Sequence, residues 1–178
     1  MIELKTEEFG DTFTDLSAGK DDEFTSDCTI ESDLELRLPA EYVPQEHERI
    51  SLYRQLDNME RAEQTEEFRN QLRDRFGAIP PTTDELIKVV PLRLSAKRLG
   101  IERLVLKGGK MRAYFVGDDN KAYYGSNAFG RVLGWMQKNM LRCNLKEVNG
   151  RRLILIEKVS SVSDALAILQ EMESTASI

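Results

Sequence analysis

One dipeptide limits this chain more than any other feature. Asn149-Gly150 separates the runs LRCNLKEV and RRLILIEK. A two-residue turn that matches the twist of paired strands needs positive φ at both central positions, which Asn-Gly adopts readily. The two runs are therefore predicted to fold back on each other. Gly108-Gly109 divides IERLVLK from KMRAYFV in the same way, and Met111, Ala113 and Phe115 then share one face of the second strand. Ser126 is placed to cap a helix whose stripe is Phe129, Val132, Leu133, Met136 and Met140. Ser161 with Asp164 starts a last helix, buried through Val162, Leu166, Leu169 and Met172.

The region before Gly100 has a helical period. Leu52, Tyr53, Leu56 and Met59 fall on one face of a first helix, with Arg54 and Asp57 opposite. In a second, Phe68, Leu72 and Phe76 recur every fourth residue, Glu66 stands three before Arg69, and Gly77 with Pro80-Pro81 ends it. A third begins at a capping box, Thr82 with Glu85, and carries Leu86, Val90 and Leu94. Pro91 lies inside it, which predicts a kink or two short helices meeting there. Ahead of these, Leu34, Leu36 and Leu38 alternate with Asp33, Glu35 and Arg37, so Thr29 to Leu38 is predicted to be a half-buried strand ended by Pro39. The fold class is α+β: a helical N-terminal half followed by a β-β-α-β-β-α half with an antiparallel sheet.

Charge divides the chain. Residues 1–46 hold 14 acids and 3 bases, a net of -11; residues 47–178 hold 17 acids and 22 bases, a net of +5. Residues 1–28 are predicted to be an acidic leader and 29–178 a folded domain. No apolar run approaches the length a membrane helix needs. The start, MIELKTEEFGD, is acidic where a secretory signal is basic and then apolar, so none is expected. Cys28 and Cys143 lie in segments of different character, which favours reduced thiols and a cytoplasmic location over a disulfide.

Few residues offer chemistry. Gly108-Gly109-Lys110 lacks the spacing of a phosphate-binding loop and precedes a strand, so it is predicted to be a tight turn. His47, the only histidine, sits in the polar helix entrance QEHERI. One histidine and two distant cysteines provide no metal cluster. Trp135 and the pair Tyr123-Tyr124 are read as core packing before contact surface. From Lys88 to Arg112 there are eight bases, including Arg93, Lys97, Arg98 and Arg103, against the single acid Glu102. Three readings stay open for that strip: a solvated face, a protein contact, or a weak DNA contact.

The stretches ESDLEL, ERISLYRQLDN, R-x-x-L-x-D-R-F-G-x-I-P from Arg69 to Pro80, and LRLSAKRLGI from Leu92 to Ile101 together resemble the C-terminal domain of the bacterial transcription-repair coupling factors (Mfd), over about Thr29 to Gly109. The last third is similar to that family only in element order. The resemblance implies that residues 1–28 end a preceding motor domain and its linker. It implies a parent that is an ATP-driven DNA translocase, which displaces stalled RNA polymerase and recruits nucleotide-excision repair through UvrA. The motor motifs, with their ATP and magnesium, lie outside this sequence, so no cofactor and no catalysis are expected here. What remains would be an autoinhibitory domain that docks on the parent's UvrB-like module and hides the UvrA-binding surface. In that family, acids near the end of the second helix meet arginines of the module. Asp74 matches one such position. Gln71 stands where a glutamate is expected and keeps a hydrogen-bond acceptor without the charge.

Overall fold

The computed structural model describes residues 24–176; the acidic leader expected at 1–28 therefore falls mostly outside the described residues. The elements are β1 (Thr29–Ser32), α1 (Glu46–Asp57), α2 (Gln64–Phe76), α3 (Pro81–Arg98), β2 (Ile101–Lys107), β3 (Lys110–Phe115), α4 (Lys121–Tyr124), α5 (Asn127–Lys138), β4 (Cys143–Val148), β5 (Arg151–Glu157) and α6 (Val162–Ser174). The fold is α+β, with one five-stranded sheet in the order β1-β2-β3-β5-β4.

Both glycine turns form. Gly108 and Gly109 take φ of 62° and 72°, and Asn149 and Gly150 take 53° and 77°, the left-handed values a tight hairpin needs. Antiparallel pairing brings Leu106, Met111, Ile156 and Cys143 into one row across the sheet and Leu104, Ala113, Ile154 and Leu145 into the next. All but Leu145 are buried. Helices α3, α5 and α6 cover this face, their apolar stripes closing one core with it.

The sheet also has a parallel edge that alternation did not reveal. Thr29 to Ser32 of β1 run alongside Arg103 to Leu106 of β2. The expected strand Thr29–Leu38 stops at Ser32 because its partner ends: β2 turns at Gly108, whose N–H donates to Asp33 Oδ2 (3.0 Å). Ser32 Oγ then accepts from the Leu34 N–H (2.9 Å) and bends the chain away. From there side chains replace a strand neighbour. The Leu38 N–H donates to Tyr53 Oη (2.8 Å), and Thr83 Oγ1 donates to the Arg37 carbonyl (3.0 Å).

Helix α3 corrects two further expectations. It runs unbroken through Pro91 from Pro81 to Arg98. An interior proline costs about 3 kcal/mol, and two-sided burial offsets that. Leu92, Ala96 and Leu99 enter the sheet core, while Ile87, Val90 and Leu94 enter a second core with α1 and α2. Each fully buried aliphatic side chain contributes about 2 kcal/mol. The start of α3 is also not the capping box expected of Thr82 and Glu85. Pro80 occupies the cap position with no side-chain bond, and Pro81, which needs no N–H partner, opens the helix.

After Gly100 (φ 77°) the chain doubles back under Tyr123. A Cβ at Gly100 would lie 2.1 Å from the Tyr123 ring, and Tyr123 Oη donates to the Leu99 carbonyl (2.6 Å). The GDDN loop leads into the one-turn helix α4, which sequence periodicity is too short to show. Ser126 caps α5 and Ser161 caps α6 as expected. The predicted stripe of α5 overreaches by one residue: Met140 lies beyond the helix end and is 73% exposed.

Candidate functional site

Helices α1 and α2 form a hairpin whose inner side is the second core. Phe68 and Leu72 are buried and Phe76 half-buried, and the Phe76 ring packs against Tyr42 at 5.7 Å. Gln64 shapes the link between the helices: its Oε1 accepts from the N–H groups of both Glu60 and Arg61, at 2.9 Å each. Tyr42 Oη donates to the Gly77 carbonyl (2.8 Å) and ties down the far end of α2.

Turning away from that core, Gln64, Glu67, Gln71 and Asp74 follow one another at spacings of three, four and three. That spacing makes one ridge along a helix. With Gln55, Asn58, Met59 and Phe68, the first three line a cleft of about 340 Å³ between α1 and α2. Its walls are amides and one carboxylate, and its floor is Met59 and Phe68. Gln71 thus opens onto the cleft and Asp74 lies one turn beyond it, both exposed. The neighbouring bases are engaged elsewhere. Arg73 Nη1 donates to Asn70 Oδ1 (3.0 Å), and Arg75 pairs with Glu48 and lies over the Phe76 ring at 4.7 Å. Asp74 has no ion-pair partner among the described residues. Such a ridge can accept hydrogen bonds from, and partly neutralise, a cationic side chain of a partner. The sequence singled out Gln71 and Asp74 only. Gln64 and Glu67 were legible in the same spacing, but the contribution of Gln55 and Asn58 depends on how α1 lies against α2.

The basic strip is dispersed. Lys88 Nζ donates to Ser163 Oγ (2.8 Å) and lies 3.2 Å from Asp84. Arg93 Nη2 donates to the Met59 carbonyl (2.8 Å), and its Nε is 3.9 Å from Asp27. Arg98 Nε pairs with Glu173 of α6 at 2.5 Å. Arg103 Nε pairs with Glu31 at 2.8 Å and lies over Tyr114 at 5.1 Å. Lys97 is half-buried on α3. These side chains reach different neighbours and do not converge on one point.

Burial also governs the remaining reactive groups. The Cys28 thiol, closed in beside Asp27, is pushed up to about 12. Burial raises the Cys143 thiol as well. Neither is poised as a thiolate nucleophile. Trp135 is buried, with Nε1 donating to Glu171 Oε1 (2.9 Å), and Tyr123 is fully buried. Among the described residues no group of three His, Cys, Asp or Glu side chains is placed to hold a metal ion, and no helix is long and apolar enough to cross a membrane.

Comparison with known proteins bears on the same region. The TRCF domain model matches residues 32–126. A transcription-repair-coupling factor of Staphylococcus epidermidis is 33% identical over 82 residues, 46% of this chain and 7% of that protein. The Escherichia coli protein of that name is 29% identical over 93 residues, 50% of this chain and 8% of its own length. That of Rickettsia prowazekii is 26% identical over 129 residues, 71% and 10%. The chain thus spans a tenth or less of the curated relatives it matches. In fold it is similar to the crystal structure of the C-terminal domain of a transcription-repair coupling factor, with a TM-score of 0.66 at 16% identity, covering 84% of this chain and 94% of that one.

Proposed function

The chain belongs to the TRCF domain family, and from that membership we propose that it is a non-catalytic regulatory domain at the C-terminal end of a transcription-repair coupling factor. Its role is to restrain the parent, a cytoplasmic, ATP-driven DNA translocase that removes stalled RNA polymerase. It does so by docking on the parent's UvrB-like module and masking the surface that recruits UvrA. ATP and magnesium belong to the parent's motor.

The observation that carries this reading is the ridge Gln64–Glu67–Gln71–Asp74 on α2, with its amide-lined cleft. At Glu67, Gln71 and Asp74 it presents acceptors on a helix whose other side is locked into a core. Surface ion pairs are worth about 1 kcal/mol or less each, so a clamp resting on Asp74 with a neutral Gln71 is weak in isolation. Tethering makes such a clamp effective, because the linker sets a high local concentration. A weak clamp also releases readily when a competing partner favours the open state.

The direct test is docking of this domain onto the isolated UvrB-like module of its own parent. Asp74→Arg is expected to weaken docking and, in the full-length protein, to expose UvrA binding. Unchanged docking removes Asp74 from the account. The rival reading is a DNA-contacting module built on the strip 88–112. It draws less support, since Lys88, Arg93, Arg98 and Arg103 each already have an acidic neighbour in the chain. Tight duplex binding by the isolated domain, falling steeply with salt, would favour it.

A further inference from the structure

The sheet has two unlike faces. Helices α3, α5 and α6 cover one, and the cleft of about 470 Å³ that remains there, between α5 and β4, has no charged residue in its lining. The other face carries charge and has no helix over it among the described residues. The register places its side chains. Arg112 stands between Val105 and Leu155 in one row, and Arg103, Tyr114, Leu153 and Lys146 form the next. Lys107, Lys110 and Glu157 stand at the Gly108-Gly109 end.

Some of these charges are spent within the chain. Arg103 pairs with Glu31 across the β1–β2 edge, and Arg151 pairs with Glu102. Lys110 has Glu157 opposite it in the register. The side chains of Lys107, Arg112 and Lys146 have no ion pair or hydrogen bond among the described residues. Beneath them Val105, Leu153 and Leu155 are buried and belong to neither core. The free bases thus stand over an apolar floor, where attraction is less screened than in open water.

We propose that this face is the docking surface of the chain's own acidic leader, residues 1–23. That segment holds eight acids and two bases, the complement of the unspent bases. It also enters at the right edge. The leader ends at Phe24, whose ring meets Tyr123 at 5.1 Å, five residues before Thr29 of β1 pairs beside Arg103. From β1 to β4 is four strand spacings, about 19 Å. Twenty-three extended residues reach about 75 Å, so the leader can cross the whole face. Tethering supplies a local concentration in the millimolar range, enough to populate a contact that is weak between separate molecules. Nucleic acid fits less well, because Tyr114, the aromatic on this face, already lies under the Arg103 guanidinium at 5.1 Å and gives bases no open ring to stack on. This contact is separate from the α2 ridge and does not depend on it.

The test uses the full chain with a nitroxide on Ser17→Cys, read as line broadening of backbone amides. Cys28 and Cys143 are buried and stay unlabelled under brief treatment. Broadening is expected at Arg112, Tyr114, Leu153 and Leu155, far stronger than on α5 across the sheet, and should fade with added salt. Arg112→Glu with Lys146→Glu should lower the docked population about tenfold, as inverting two surface charges implies. Asp11→Lys with Asp15→Lys should do the same, and the two pairs combined should restore the broadening. If the face variant unfolds, the leader pair still decides. The proposal is overturned by broadening that is absent, as strong on α5 as on the charged face, or unchanged by either reversal. Broadening passed to an unlabelled chain mixed with the labelled one would assign the face to a second copy's leader. Absent broadening with salt-sensitive binding of a short oligothymidylate at the same amides would assign it to nucleic acid. Either result overturns the proposal.

Discussion

The backbone N–H of Val162 donates to Glu85 Oε1 at 2.7 Å. Glu85 belongs to α3 and Val162 is the first residue of α6. Its carboxylate also accepts from the Ser163 N–H (3.3 Å) and from the Ser163 hydroxyl. A side chain that sequence spacing assigns to its own helix start thus satisfies the first turn of a helix far along the chain. Carboxylates are favoured there because the helix N-terminus carries partial positive charge.

Glu85→Ala is expected to lower unfolding free energy by about 1–2 kcal/mol, the usual cost of losing a helix cap. Glu85→Gln, which keeps an acceptor, should lose less. Urea denaturation of the two variants separates the outcomes; equal losses would mean that charge, not capping, is what matters.

Gly100→Ala should be among the most damaging single-methyl changes in the chain. It places a Cβ against the Tyr123 ring and forces a left-handed φ on a residue that resists it. A loss of about 3 kcal/mol or more is expected from the strain and the clash combined. Tyr123→Phe keeps the ring and loses only the bond to Leu99, at about 1 kcal/mol. Thermal unfolding of both variants checks the order.

Asp84 provides a pH test. Burial alone would raise its carboxyl, but hydrogen bonds from Arg69 and Lys88 outweigh that and hold it below the ordinary aspartate value. A depressed folded value means a stabilising contribution that is full above the unfolded value, about 4, and is lost as pH falls through the folded one. Asp84→Asn should therefore cost about 1 kcal/mol near neutrality, and its deficit should shrink as pH falls below about 4. A deficit constant with pH would remove the ion pair as its cause.

Both thiols should resist modification. Cys28 and Cys143 are buried and raised above the ordinary cysteine value, so a disulfide reagent at mildly alkaline pH should react slowly with native protein and fast in urea. Fast native reaction at Cys143 would show that the α5–β4 cleft opens.

Asp74→Arg is expected to change stability by no more than about 0.5 kcal/mol, as befits an exposed helix position. Circular dichroism melts provide that control. A large drop would make any loss of docking uninterpretable.

Both glycine turns, two of the three expected caps and most of the stripes were legible because each depends on consecutive residues. Asn149-Gly150 and Gly108-Gly109 make the turns their types require, Ser126 and Ser161 cap the helices they precede, and Phe68, Leu72 and Phe76 line one side of α2. Chain order alone therefore determined the two hairpins, the helical hairpin and the α+β class. It also placed Gln71 and Asp74 on the polar side of a helix.

Tertiary structure decided the rest. A strand exists only as far as its neighbour does, so β1 ends at Ser32 where β2 turns away, although alternation continues to Leu38. A proline survives inside α3 because two cores press on that helix. The run of bases from Lys88 to Arg112 is one feature on paper, and folding sends Arg93, Arg98 and Arg103 to acids far away in the chain, while Lys88 pairs within α3. The open edge of β4 is visible only once the strand order is known. Local signals report the conformations neighbouring residues favour; pairing, two-sided burial and charge neutralisation depend on distances that only the folded chain creates.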